Sequence, residues 1–251
     1  MAKEIVAKAT AQVPDYIKQG TNRGSEGVGM DDLTIPRLEL VQALSPCRKK
    51  NDPAYIEGAE EGMLYNNVSR EIYGTSVVIV PVIFKKEYLI WKDRKLGGGF
   101  RGVYSSLEEA QAMVQELVNA DPQNNQGLDA VDTGQHLCLL VRPDGRIEEI
   151  AISMSRSKMK VSRQLNSLVR MTGGDRFSRS YLVEGVPDKN DKNEDFFNFR
   201  VSQYGFPSQE AYQQAEELYE AIKSGEREVK INNEQEGESA PENGNSNGVN
   251  F

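Results

Sequence analysis

Apolar residues recur in two periods along this chain, and the switches between them mark its elements. Val161, Leu165, Leu168 and Val169 fall at a spacing near 3.6, and Gly173-Gly174 supplies a left-handed stop, so this stretch predicts a helix. Before it, His136–Arg142 (HLCLLVR) and Arg146–Ile152 (RIEEIAI) flank Pro143-Asp144-Gly145, a hairpin with Asp-Gly at the reversal. After it, Ser178–Val186 and Phe196–Val201 predict two strands separated by the polar loop Pro187–Asp195. A longer run, Ser76–Trp91, precedes them all. Val78, Val80, Val82 and Phe84 are expected to line one of its faces, and Pro81 inside it predicts an edge position or a bulge.

Two more helices are signalled at their starts. Ser106 with Glu109 three residues on forms a capping box for Ser105–Ala120, whose stripe is Leu107, Ala110, Val114, Leu117 and Val118. Ser208 caps Gln209–Lys223, with Tyr212, Ala215, Leu218, Tyr219 and Ile222 on one face. The chain order is therefore five strands with a helix between the third and fourth. That predicts a mainly β, α+β fold: an OB-fold-like five-stranded barrel with an inserted helix (about 105–134), a helix between strands 3 and 4, and a C-terminal helix.

Around this body, residues 1–30 read as a mobile arm, 31–205 as the folded domain, 206–224 as the C-terminal helix and 225–251 as a disordered acidic tail. Asp31–Pro46, dense in apolar residues, is expected to dock on the core, and Met63–Tyr73 to add a strand.

Charge changes the picture. The formal net charge is −8, which argues against a polyanionic ligand until its distribution is read. Ser153–Tyr181 carries seven Lys and Arg against Asp175 alone, and Lys85–Arg101 carries six against Glu87 and Asp93. Arg156, Lys160, Arg163 and Arg170 fall on a face of the predicted helix away from its apolar side. The aromatics Tyr88, Trp91 and Phe100 are interleaved with Lys92, Arg94, Lys95 and Arg101. Stacking rings among cations are what sequence-tolerant binding of a single strand requires. Candidate DNA-binding residues are thus Lys85, Lys86, Tyr88, Trp91, Lys92, Arg94, Lys95, Phe100 and Arg101 in the first stretch. In the second they are Arg156, Lys158, Lys160, Arg163, Arg170, Arg176, Phe177, Arg179 and Tyr181.

Other chemistry is poorly signalled. Two cysteines, Cys47 and Cys138, and no apolar run of membrane length point to a reducing compartment, read as cytoplasmic. His136 and Cys138 share a strand face, but no second ligand pair is spaced for zinc. Gly97-Gly98-Gly99 is not followed by Gly-Lys-Ser/Thr, so it reads as a turn and not as a phosphate cradle. Ser155-Arg-Ser-Lys158 lacks the companion motifs of acylating enzymes. Asp188 with Glu228-Val-Lys230 imitates a nuclease metal site, the leading enzymatic alternative, while a protein-only adaptor of replication or transcription is the non-enzymatic one. No enzyme activity and no cofactor is expected.

An acidic tail closing on Phe251, after this strand order and basic helix, resembles the single-stranded DNA-binding proteins of bacteria and tailed bacteriophages. DDLTIPRLELVQALSP, DPAYIEGAEEGMLYNN and YGTSVVIVPVIFKKEYLIWKDRK are similar to phage proteins so described. The resemblance implies a non-catalytic protein that coats single-stranded DNA during phage replication, recombination and repair in the bacterial host cytoplasm. It also implies that Glu234, Glu236, Glu238, Glu242 and Phe251 contact replication and recombination proteins such as a polymerase, helicase, primase or exonuclease. The tail departs from the family pattern in having four scattered acids, none in its last nine residues. A homodimer is compatible with this reading, and no membrane partner is expected.

Overall fold

The computed structural model describes residues 23–28, 35–190 and 193–227, and of Arg94 the backbone only. The chain divides into two units, Met1–Leu33 and Thr34–Phe251. In the first, residues 23–28 form turns, with the Gly24 amide donating to Glu26 Oε2 at 2.8 Å.

The second unit is mixed α and β with antiparallel sheets. Three short strands, β1 (Leu38–Leu40), β2 (Leu64–Asn66) and β3 (Ile72–Gly74), form a small sheet. The large sheet contains β4 (Ser76–Lys92), β5 (Phe100–Tyr104), β6 (Leu128–Val141), β7 (Ile147–Ser155), β8 (Ser180–Lys189) and β9 (Asp195–Gly205). Its order is β7-β6-β4-β8-β9, with β5 also paired to β4. Among the described residues three α-helices complete the unit: α1 (Leu107–Ala120), α2 (Met159–Thr172) and α3 (Gln209–Lys223).

The expected barrel is not closed. β7 and β9 are the two ends of the sheet and do not pair with each other. The segment 36–42 lies against both ends instead. The Ala151 amide on β7 donates to Pro36 O at 2.8 Å. Gln42 then makes a two-way link to β9, its Nε2 donating to Phe197 O at 2.7 Å and its Oε1 accepting from Phe197 N at 2.9 Å. Sheet-edge groups that would otherwise lack partners are thereby satisfied, which is the usual demand on a buried edge.

Two hydrophobic clusters lie on the two faces of the sheet. In the first, Leu38, Leu40 and Leu64 meet Ile79, Ile150, Ile152, Tyr181 and Phe199 together with Val161 and Leu165 of α2. In the second, Val80, Val82, Leu137 and Leu139 meet Phe177 and the α3 residues Ala211, Ala215 and Leu218. β4 is therefore buried on both faces at this end, not lined on one face as its alternation implied. Pro81 sits at a bulge, because the pairing with β6 shifts register between Pro81 and Ile83. It is not on an edge strand, but the ladder with β8 ends at Ile79, so its missing N–H costs no bond on that side. The bulge also re-phases the strand: Val80 and Val82 pack toward α3, while Phe84 turns to the other face and meets His136 at 4.9 Å between ring centroids.

The helix starts form as their caps dictate. Ser106 Oγ accepts from the Glu109 amide, and Ser208 Oγ from the Ala211 amide. Among the described residues no helix is long and apolar enough to cross a membrane.

Candidate nucleic-acid interface

α2 has no acidic residue and ends where Gly173 takes φ 68°, a conformation other residues reach only with strain. Its inner side buries Val161, Ser162 and Leu165, and Lys160, Arg163 and Arg170 are left exposed. The helix runs alongside β9 in the same direction. Asn198 Nδ2 donates to Ser157 O just before the helix, and Gln164 Nε2 to Val201 O, so its last turns come level with Tyr204.

The cations on this face differ in their neighbours. Lys160 pairs with Asp188 at 2.6 Å. Burial pushes the Asp188 carboxyl up, but hydrogen bonds from Lys160, Asn198 and the Lys189 amide outweigh it and hold the group below its usual range. Arg163 and Arg170 make no ion pair with any carboxylate among the described residues. Arg156 is exposed in a 3-10 turn ahead of the helix.

Beyond the helix, pairing of Ser180 with Gly205 sets Arg179 beside Phe206. The Arg179 guanidinium lies 3.6 Å from the Phe206 ring centroid. Phe206 is 72% exposed, Tyr204 64% and Met171, in the last turn of α2, 82%. Tyr204 and Phe206 are not among the residues expected from the sequence. They sit where β9 ends and the Ser208 cap begins, outside either apolar period, and a ring that fits neither period was the only signal they offered.

Three of the expected contacts lie inside the protein. Tyr181 is fully buried in the first cluster, because it points inward from the end of the β8–β4 ladder. Phe177 is buried against Tyr212 and Tyr219 of α3, with ring centroids 5.2 and 5.9 Å away. Lys158 is buried with its ammonium 5.0 Å from the centre of the Phe199 ring. None of the three offers a free face to a base or a phosphate.

The Lys85–Arg101 stretch forms the far half of β4, a tight turn and β5. Register across the sheet brings acids to it, Asp132 opposite Tyr88 and Asp129 opposite Trp91. Lys85 pairs with Glu87 at 2.8 Å, and Lys86 pairs with Asp132 at 3.3 Å while lying over the Tyr88 ring. Trp91 and Phe100 pack on each other at 5.2 Å, both half-buried, and Lys92 is half-buried as well. Lys95 and Arg101 are exposed. Lys85 is thus answered within its own strand and Lys86 across the sheet. A cleft of about 320 Å³ beside it is lined by Lys85, Glu87, Val103, Tyr104, Ser105 and Glu109.

The two basic stretches meet only in part. Gly134, the register partner of Lys86, is crowded by Ser162 of α2 and has no room for a Cβ, so the first turns of α2 neighbour Lys86. Trp91 lies twelve residues along β4 from Ile79, the position opposite Tyr181. At about 3.3 Å per residue the hairpin end is then up to about 40 Å from the Arg179–Phe206 end.

Between them sits a buried polar cluster. His136, the chain's only histidine, is fully buried. Its Nδ1 accepts from Arg176 Nη2 at 2.9 Å, which fixes the proton on Nε2, 2.8 Å from Ser162 Oγ. Burial, with Arg176 adding to it, pushes the imidazole down to about 3. Arg176 Nη2 also donates to Asn166 Oδ1 at 2.9 Å, and its guanidinium stands 5.6 Å from the centre of the Phe84 ring.

Among the described residues no three His, Cys, Asp or Glu converge as a metal site. Asp188 is taken up by Lys160 and Asn198, and Glu228–Lys230 lies outside the described residues, as do Glu234, Glu236, Glu238, Glu242 and Phe251.

A family model described as Pam3 phage gp34-like protein matches residues 6–228. The chain belongs to that family. It is therefore a phage protein, and the matched span takes in α2 and the Arg179–Phe206 pair. No curated protein and no solved structure matches it.

Proposed function

We propose that this phage protein binds single-stranded DNA without base-edge readout. The observation that carries the reading is the Arg179 guanidinium stacked on exposed Phe206, beside a helix with no acid and two arginines that pair with no carboxylate among the described residues. Phosphates would lie along Arg163 and Arg170, and bases on Phe206 and Tyr204, each stacked base contributing about 1–3 kcal/mol. The five strands β4, β6, β7, β8 and β9, with α2 between the third and fourth and residues 36–42 at the gap, support an OB-like reading of the scaffold. The role is coating of single strands in phage replication, recombination and repair, without catalysis, with the acids of the tail and Phe251 contacting partner proteins.

Arg163→Gln together with Arg170→Gln tests the face. Each single-strand phosphate contact adds about 0.7 to the slope of log affinity against log salt, so the double variant should lose about 1.4. An unchanged slope removes this face from the interface. Absence of any binding by the wild type moves the protein to the adaptor class.

A further inference from the structure

Arg176 is set unlike the other cations of the interface. Its side chain is partly buried, yet no carboxylate among the described residues pairs with it. Nη2 is held by two neutral acceptors on different elements, His136 Nδ1 on β6 and Asn166 Oδ1 on α2, both at 2.9 Å. Nε is enclosed without a partner, and Nη1 makes no bond among the described residues. A partly desolvated guanidinium whose charge is left uncompensated carries a standing cost, since buried charges are ordinarily paired. Neutral acceptors fix its direction without cancelling its charge. His136 is suited to this because its protonated form could not accept from Arg176, and burial keeps it neutral.

We propose that Arg176 is a pre-oriented receptor for a backbone phosphate of the bound strand, and that His136 and Asn166 are positioning residues that hold it in place. This rests on the single-stranded DNA reading of the same interface. The site lies beside Phe84, two residues along β4 from Lys86, and so between the α2 face and the hairpin. The flexible arginines of α2 lose side-chain freedom when they meet a phosphate, whereas Arg176 has already lost it on folding.

The test is binding of labelled oligo-dT by the full chain and its variants across a salt series, with far-UV circular dichroism and thermal melting confirming the fold of each. Arg176→Gln should weaken binding by about tenfold, the effect of a lost charge-assisted hydrogen bond, and lower the salt slope by about 0.7. Asn166→Ala and His136→Leu should weaken binding with the salt slope unchanged, because the charge remains and only its placement is lost. In the Arg176→Gln background both should have no further effect; additive losses would mean a structural role and overturn the positioning claim. Asn166→Ala, with its side chain only partly buried, decides the matter if His136→Leu does not fold. Wild-type binding with an unaffected Arg176→Gln variant overturns the inference and leaves the single-stranded DNA reading standing. Failure of the wild type to bind overturns both.

Discussion

Between pH 5 and 7, stability should depend on pH chiefly through His136. The folded protein holds its imidazole neutral down to about pH 3, whereas the unfolded chain protonates it at about 6.5. Between those values the unfolded state binds the extra proton, so stability rises with pH and falls on acidification. With those two pKa values the linkage relation gives a loss of about 2 kcal/mol between pH 7 and pH 5. That is a large share of an ordinary domain's 5–15 kcal/mol. Because the chain has one histidine, no other imidazole contributes in this window. Urea unfolding of the wild type and of His136→Gln, at half-unit steps from pH 5 to 7, measures it. The variant is expected to be less stable at pH 7, and the quantity of interest is slope. The wild type should show the extra pH dependence of about 2 kcal/mol and the variant should not. Parallel curves would refute a buried neutral imidazole, and with it the proton assignment that orients Arg176.

Two further outcomes follow from contacts around α2. Asp188, held below the usual carboxylate range, contributes stability in full above its unfolded pKa and loses it as pH falls through the lower folded value. Asp188→Asn should therefore flatten the acid limb below about pH 4 in urea titrations, and an unaltered limb would discount the Lys160 and Asn198 bonds. Gly134→Ala should destabilise the fold by about 1–3 kcal/mol, because the added methyl meets Ser162 of the helix and Phe84 of the sheet. A neutral effect on the denaturation midpoint would mean that α2 can move off the sheet.

Local signals carried well into the structure where one short-range cause decides the outcome. Ser106 and Ser208 cap α1 and α3, and Asp144-Gly145 turns the β6–β7 hairpin, because each depends on residues within four positions. The start of β6 at Leu128, eight residues ahead of the strand expected from His136, was not legible: its polar residues are held by a ladder to β4, a non-local partner. Closure of the barrel failed for the same reason, since nothing local indicates that residues 36–42 lie against the two outer strands, β7 and β9. The candidate site divides along the same line. Arg163 and Arg170 could be placed from helical phase alone, but Lys158, Phe177 and Tyr181 could not, because each sits at or near an element boundary where phase changes. The basic count in Lys85–Arg101 was also correct and incomplete, since Asp129 and Asp132 arrive only through sheet register.

A protein that stacks bases on Phe206 and Tyr204 must prefer a single strand to a duplex. The direct measurement is fluorescence-anisotropy titration of labelled oligo-dT and of a duplex of equal length, at two salt concentrations and without divalent metal. The single strand should bind tightly and the duplex more weakly, with a steep loss of affinity as salt rises. Phe206→Ala with Tyr204→Ala should reduce the preference, because only an unpaired base offers those rings a free face. Equal affinity for both nucleic acids, insensitive to loss of those two rings, would contradict it.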